Sequence, residues 1–193
     1  MKLSAKFEEA LIYATRAHGG QVRKKTGIPY VAHILGVTAI ALEYGANETE
    51  AIGALLHDTV EDCGGVERLR DIREKFGDDV AGIVDGCTDT YETPKPPWLE
   101  RKRAYIKHLE DSDSSTRLVS ASDKLHNTRA ILAELRRIGP QVFERFSGKT
   151  DGTLWYYRTL VTAFRQHSDH ADLIDELNRV VMEIEKIVRE KAQ

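Results

Sequence analysis

An all-α fold is predicted by three features of the sequence. Apolar residues recur at helical spacing through most long segments, no segment alternates apolar and polar residues between turn signals, and Gly, Pro or Asn separates the periodic stretches. Phe7, Leu11 and Ala14 line one face of a first helix, and Val37, Ile40, Ala41 and Tyr44 line a second. Gly45 ends that second helix, and Asn47 caps a third carrying Ile52, Leu55 and Leu56. A helix from Val66 to Phe76 stops at Gly77, and another spans Asp79 to Cys87. Pro94, Pro96 and Pro97 make the stretch from Thr88 to Trp98 an irregular connection, the best candidate for a substrate-facing loop, before a helix with Tyr105, Ile106 and Leu109. Helix resumes near Ser115 and runs through Leu135, ending before Gly139 and Pro140. The GKTDG segment from Gly148 to Gly152 reads as a turn or short flexible lid, and two last helices fit Leu154 to Arg165 and Leu173 to Arg189. Ile28 to Val31 is β-prone enough to pair locally without defining a sheet. Val180, Ile184 and Ile187 form a C-terminal stripe that suits intrachain packing and a dimer surface equally, so the oligomeric state stays open.

A chain of 193 residues is long enough to bury a core as one domain over 1–193 without disulfide staples. Its two cysteines, Cys63 and Cys87, form no C-x-x-C pair and read as reduced thiols of a cytoplasmic protein. The N-terminal stretch has early acidic residues and no long apolar run, which fits neither a secretory signal nor a membrane anchor. A formal net charge of −3, from 28 basic and 31 acidic residues, predicts no general attraction to nucleic acid. Two local basic clusters, Arg23-Lys24-Lys25 and Arg101-Lys102-Arg103, are either solvated surface or anion contacts.

The peptide ALLHDTVED, from Ala54 to Asp62, carries the densest chemistry. Within one helix His57 and Glu61 stand four residues apart, as do Asp58 and Asp62, so the four side chains occupy two adjacent ridges. His33 follows a turn in TGIPYVAH, and Asp123 lies on the later helix containing SASDKLHN. Imidazole nitrogen with carboxylate oxygen suits a divalent ion such as Mn²⁺, Fe²⁺ or Zn²⁺, whereas the all-oxygen pattern of a Ca²⁺ loop is absent. Periodicity alone leaves open whether these distant residues converge. Asp123 and Asn127 share a helical face.

The order RKKTGIPYVAH, LLHDTVED, DKLHN, with FGDDVAGIVDGCTD between the last two, resembles the HD-domain hydrolases. The likeness is to the hydrolase region of RelA/SpoT enzymes and to the small stand-alone guanosine tetraphosphate hydrolases, and its motifs concentrate in 18–129. That resemblance implies an HD-domain helical bundle binding a metal, usually manganese, that removes pyrophosphate from the 3′ side of guanosine tetra- or pentaphosphate. It also implies His33, His57, Asp58 and Asp123 as metal ligands, and Glu61 and Asp62 as the acidic pair beside the reactive water. By the same carry-over Arg23 and Lys24 lie near the nucleotide and Asn127 contacts substrate. Lys95, Arg101 and Lys102 are added as cations that close on the distal phosphates from the proline-containing loop and the helix after it. Two departures stand out. His33-Ile34 replaces the family's common His-Pro, and Ser120-Ala121-Ser122 precedes Asp123 where the family often has Lys-Leu-Ala, which removes a cation and loosens the inference about substrate.

The expected partner is a small phosphorylated nucleotide, with neither membrane nor specific nucleic acid. His18 is read as either a support to the pocket or a helix terminus. His126, beside Asn127, points in another helical direction and is left out of the ligand set. Trp98, Tyr105, Trp155, Tyr156 and Tyr157 read as core contacts rather than covers for a base.

Overall fold

The computed structural model describes residues 2–24 and 26–191, so Lys25 of the first basic cluster lies outside the described residues. Among the described residues ten α-helices follow one another: α1 (Ala5–Ala17), α2 (Val31–Glu43), α3 (Glu48–Leu56), α4 (Thr59–Cys63), α5 (Gly65–Phe76), α6 (Asp78–Cys87), α7 (Trp98–Asp111), α8 (Ser114–Ile138), α9 (Lys149–Phe164) and α10 (Ala171–Lys191). A 3-10 segment, Gly139–Arg145, follows α8, with Pro140 in its first turn. Among the described residues the sole β pairing is an isolated antiparallel bridge between Val22 and Pro29. No helix among them is long and apolar enough to cross a membrane.

Local sequence sets several boundaries. Asn47 and Glu50 form a reciprocal capping box at the start of α3, and Gly45, at φ +91°, turns the chain out of α2. The irregular connection over Thr88 to Trp98 is present as expected, and α7 begins at its end.

Two expectations are corrected. GKTDG is the opening of α9, which starts at Lys149 rather than Leu154. Gly148 and Gly152 present bare backbone on one face, and the Trp98 ring packs so close that a Cβ on Gly148 would lie 2.7 Å from it. Burying that indole outweighs the turn propensity of the glycines. The second correction concerns HDTVED, which does not run within one helix. α3 ends at Leu56, and α4 restarts at Thr59 after the His57-Asp58 turn. The side chains of His57 and Thr59 bond back to the Ala54 and Leu56 carbonyls, at 2.9 and 2.6 Å, satisfying backbone acceptors that the break would otherwise strand.

Two apolar clusters form the core. One gathers Ile52, Leu55 and Leu56 of α3 with Val60, Ile72, Phe76, Val80 and Val84. The other gathers Val37 and Ile40 of α2 with Leu118, Leu125 and Leu135 of α8, Leu160 and Phe164 of α9, and Leu177 and Val181 of α10. Val180 and Ile184 of the C-terminal stripe are buried there, and Ile187 packs against it. α2, α3 and α6 contribute to both clusters, and the polar site described next lies where they meet.

Candidate metal and phosphate site

His33 sits in the first turn of α2, His57 and Asp58 form the turn between α3 and α4, and Asp123 lies midway along α8. Although distant in sequence, their donor atoms converge. His33 Nε2 is 3.3 Å from both Asp58 Oδ2 and Asp123 Oδ1, and His57 Nε2 is 3.0 and 3.9 Å from the same two oxygens. His33, His57 and Asp58 are tight enough to chelate one ion, and Asp123 faces them from α8. The buried His57 Nδ1 takes the Ala54 carbonyl as its partner, so that nitrogen carries the proton and Nε2 offers a lone pair. Nε2 is itself buried without a hydrogen-bond partner. Lone pairs of imidazole and carboxylate thus meet at close range, and the donor set fits a divalent cation.

Where no cation is bound, the same carboxylates instead draw a proton onto His57. Burial disfavours a charged His57, but the negative charges of Asp58 and Asp123 prevail and lift it to about 9. Burial likewise opposes ionisation of Asp58 and Asp123. The neighbouring imidazoles, and above all Lys124 for Asp123, overcome it and hold both carboxyls well below the usual range. Lys124 ion-pairs with Asp123 Oδ2, leaving Oδ1 to face the histidines. Its ammonium also lies 5.0 Å from the centroid of the Tyr105 ring.

Two residues that sequence reasoning passed over touch the ligand set. Tyr30 donates its hydroxyl to Asp58 Oδ2 at 2.6 Å. Burial and then the charges of Asp58 and Asp62 push its phenol pKa upward, so it stays a donor. Its position three residues before His33, at a helix entrance, was the only available signal. His126, set aside for its direction on α8, has Nδ1 2.9 Å from His33 Nδ1. It does point elsewhere than Asn127, but α2 crosses α8 so closely that His33 meets it from the opposite side.

The acidic pair flanks this centre on α4. Glu61 Oε1 pairs with Lys95 Nζ at 2.5 Å, and Oε2 accepts the Asp89 backbone N–H at 3.4 Å. Asp62 accepts from Gln21 Nε2 at 2.8 Å, and Gln21 in turn meets His18 Nδ1 at 2.7 Å. His18 caps the C-terminus of α1 and stacks on Tyr30, so both readings of it hold together. Opposite, Arg23 donates to Asn127 Oδ1 at 2.7 Å, and Asn127 Nδ2 donates to Asp123 Oδ1. The bridge between Val22 and Pro29 closes the Arg23 loop, and the Arg23–Asn127 hydrogen bond ties that loop to α8. Lys24 is exposed on that loop.

Arg101 and Lys102 of α7 share the buried carboxylate of Asp89, Lys102 at 2.7 Å. They are therefore pinned just outside Glu61 rather than free. Burial, with Lys124 and Arg101 nearby, lowers the Lys102 pKa to about 7. Tyr105 and Tyr156 are core residues as expected, while Trp98, Trp155 and Tyr157 are half-buried against the same core.

A helical bundle that buries a His/His/Asp cluster able to hold a divalent ion is the arrangement of a metal-dependent HD-domain phosphohydrolase, and the family match bears this out. Residues 10–153 match the model of the HD domain, and the chain belongs to that family. It is similar to guanosine-3′,5′-bis(diphosphate) 3′-pyrophosphohydrolase MESH1 of Xenopus tropicalis, 39% identical over 138 residues that cover 69% of this chain and 71% of that protein. The human MESH1 is 37% identical over 142 residues, covering 72% and 74%. A solved structure described as a metazoan ortholog of SpoT that hydrolyzes ppGpp and plays a role in starvation responses superposes with a TM-score of 0.78 at 30% identity, covering 95% of this chain and 97% of that one. The chain is an HD-family hydrolase related to the MESH1 proteins.

Proposed function

We propose that the chain is a Mn²⁺-dependent guanosine-3′,5′-bis(diphosphate) 3′-pyrophosphohydrolase, with His33, His57, Asp58 and Asp123 as ligands and Glu61 with Asp62 as the acidic pair. The observation that carries the reading is the convergence of four ligand atoms from three chain segments, with Glu61 and Asp62 one turn beyond Asp58. The names of the MESH1 relatives support the substrate. A divalent ion held there would make bound water more acidic and offset charge developing on phosphoryl oxygens, with Mn²⁺ the expected ion and Fe²⁺ or Zn²⁺ also compatible with the donors.

Water attacks the phosphorus attached to the ribose 3′ oxygen, that P–O bond breaks, and guanosine diphosphate and pyrophosphate leave. Glu61, acting with Asp62, orients the water and takes its proton. Glu61 is held for this by Lys95 and the Asp89 N–H, and Asp62 by Gln21. Arg23 and Lys24 hold the nucleotide end, with Arg23 braced by Asn127, and Asn127 turns its amide to a sugar or phosphate oxygen. Lys95, Arg101 and Lys102 face the distal phosphates.

One feature favours a second reading, hydrolysis of another phosphorylated nucleotide. Ser120 stands where the family motif often carries lysine, and its hydroxyl is engaged with Tyr105 at 2.8 Å. The test is to incubate Mn²⁺-loaded protein with guanosine tetraphosphate and a nucleotide panel and to identify products. Guanosine diphosphate plus pyrophosphate, abolished by Asp58→Ala, is the expected result. Phosphate release from a different nucleotide establishes the second reading, and binding without turnover by folded, metal-occupied protein overturns both in favour of a regulatory module.

A further inference from the structure

We infer that His126 is a positioning residue that fixes the tautomer and aim of His33, and that the missing side chain at Gly36 is what admits its ring. The inference rests on the reading of His33 as a ligand and adds to it the group that makes His33 a good one.

His33 turns Nε2 toward the carboxylates, 3.3 Å from Asp58 Oδ2 and from Asp123 Oδ1. An imidazole that offers a lone pair from Nε2 carries its proton on Nδ1. That Nδ1 lies 2.9 Å from His126 Nδ1. Two facing ring nitrogens at this separation share a single proton, so when His33 supplies it, His126 must accept and keep its own proton on Nε2. The more usual partner of a ligand imidazole is a carbonyl or carboxylate oxygen, as His57 has in the Ala54 carbonyl. His33 instead depends on a second histidine from another helix, and only one of that histidine's tautomers serves.

The packing supplies an independent observation. Gly36 is three residues after His33 on α2, so both lie on the side that meets α8. A Cβ built on Gly36 would lie 2.2 Å from Cδ2 and 2.3 Å from Nε2 of His126, well inside contact. The His126 ring therefore rests against bare α2 backbone, tilted at 59° to the His33 ring with centroids 4.8 Å apart. Glycine inside a helix is less favourable than alanine, yet alanine here evicts the ring. Neither residue belongs to the ligand or acidic set.

The test measures Mn²⁺ dissociation constants by calorimetry on folded, metal-free protein, with metal-free thermal unfolding recorded for each variant. His126→Ala is expected to weaken binding about 10–100-fold, whereas His126→Asn, whose amide oxygen sits on Cγ much as Nδ1 does, stays within about threefold of the parent. Gly36→Ala should match His126→Ala, and the Gly36→Ala/His126→Ala double variant should bind no more weakly than His126→Ala alone. ¹⁵N spectra of the Zn²⁺-loaded parent should show the His33 proton on Nδ1 coupled to an unprotonated His126 Nδ1, a readout that needs no variant to fold. Parent-like binding by His126→Ala, no rescue by Asn, additive losses in the double variant, or a proton on His126 Nδ1 each overturn the inference. His33→Ala separates the two levels: if it binds Mn²⁺ like the parent, the ligand assignment fails, and if it alone loses binding while His126→Ala does not, only the present inference fails.

Discussion

Replacing Asp89 by alanine should be among the most damaging single changes outside the apolar core. Its carboxylate side chain is only 7% exposed and is the shared counterion of Arg101 and Lys102, themselves 15% and 18% exposed. Removing one partner of a buried pair costs about 3–5 kcal/mol, because the remaining charge is left desolvated and uncompensated. Here two cations are left adjacent, which places Asp89→Ala toward the upper end. At roughly 2–4 °C per kcal/mol for a chain of this length, the melting temperature should fall by about 6–20 °C. The deficit should also depend on pH. The folded pKa of Lys102 is about 7, below its unfolded 10.5, so between these values the unfolded chain binds more protons and stability rises with pH. Once Lys102 is neutral it no longer needs Asp89, so the deficit shrinks as pH rises through that folded value, leaving the part due to Arg101. Urea unfolding of the metal-free protein at pH 6 and pH 9 measures both effects. Glu67→Ala, which breaks the exposed Arg70–Glu67 pair, serves as a control expected to cost about 0–1 kcal/mol. A deficit below about 1 kcal/mol at pH 6 would refute the premise that this cluster is desolvated. Adding Arg101→Met and Lys102→Met to Asp89→Ala should recover most of the loss.

Other consequences are as direct. Gly53→Ala drives a Cβ to within 2.7 Å of Ile83 and should cost about 1–3 kcal/mol, whereas Gly82→Ala, with open space around its Cβ on the exposed face of α6, should gain about 0.5–1 kcal/mol; denaturant midpoints compare them. Saturating Mn²⁺ should raise the melting temperature, by the equivalent of about 2.7 kcal/mol at a hundred times the dissociation constant, and Asp58→Asn should abolish the shift seen in differential scanning fluorimetry. Burial raises the Asp169 pKa, but hydrogen bonds from Arg117 and Ser114 outweigh it and hold the carboxyl below its ordinary 3.8. Its contribution is therefore present above that value and lost as pH falls through the folded pKa. Arg117→Met should flatten this acid limb in urea titrations run from neutral pH downward.

How much of this was legible in the sequence depends on how far each cause reaches along the chain. The Asn47 cap, the Gly45 exit and the proline-rich connection before α7 are decided within a few residues, and the sequence displays them. The four convergent side chains proposed as ligands were legible through motif order, since spacing cannot bring His33 to Asp123 across 90 residues of chain. What was hidden is decided by contacts between segments. The GKTDG stretch becomes helix because the Trp98 ring lies on its glycines. Lys95, Arg101 and Lys102 read as cations that close on distal phosphates, and what stayed hidden is their pairing with Glu61 and buried Asp89, which follows from α4, α7 and the intervening loop meeting. The break at His57-Asp58 was masked because no Gly or Pro marks it; His57 keeps helical backbone angles, and only Asp58, at φ −97° and ψ −7°, departs from them.

The division of the apolar interior has a mechanical corollary. Asp58 leads into α4 and α5 on one side, Asp123 rides on α8 on the other, and the two imidazoles bridge between them. A cation held by all four, as proposed, would work as a rivet through that seam, adding to the ties that α2, α3 and α6 already make between the two clusters. Chelation should loosen that seam before it melts either half, with amide exchange quickening first around the His57-Asp58 turn.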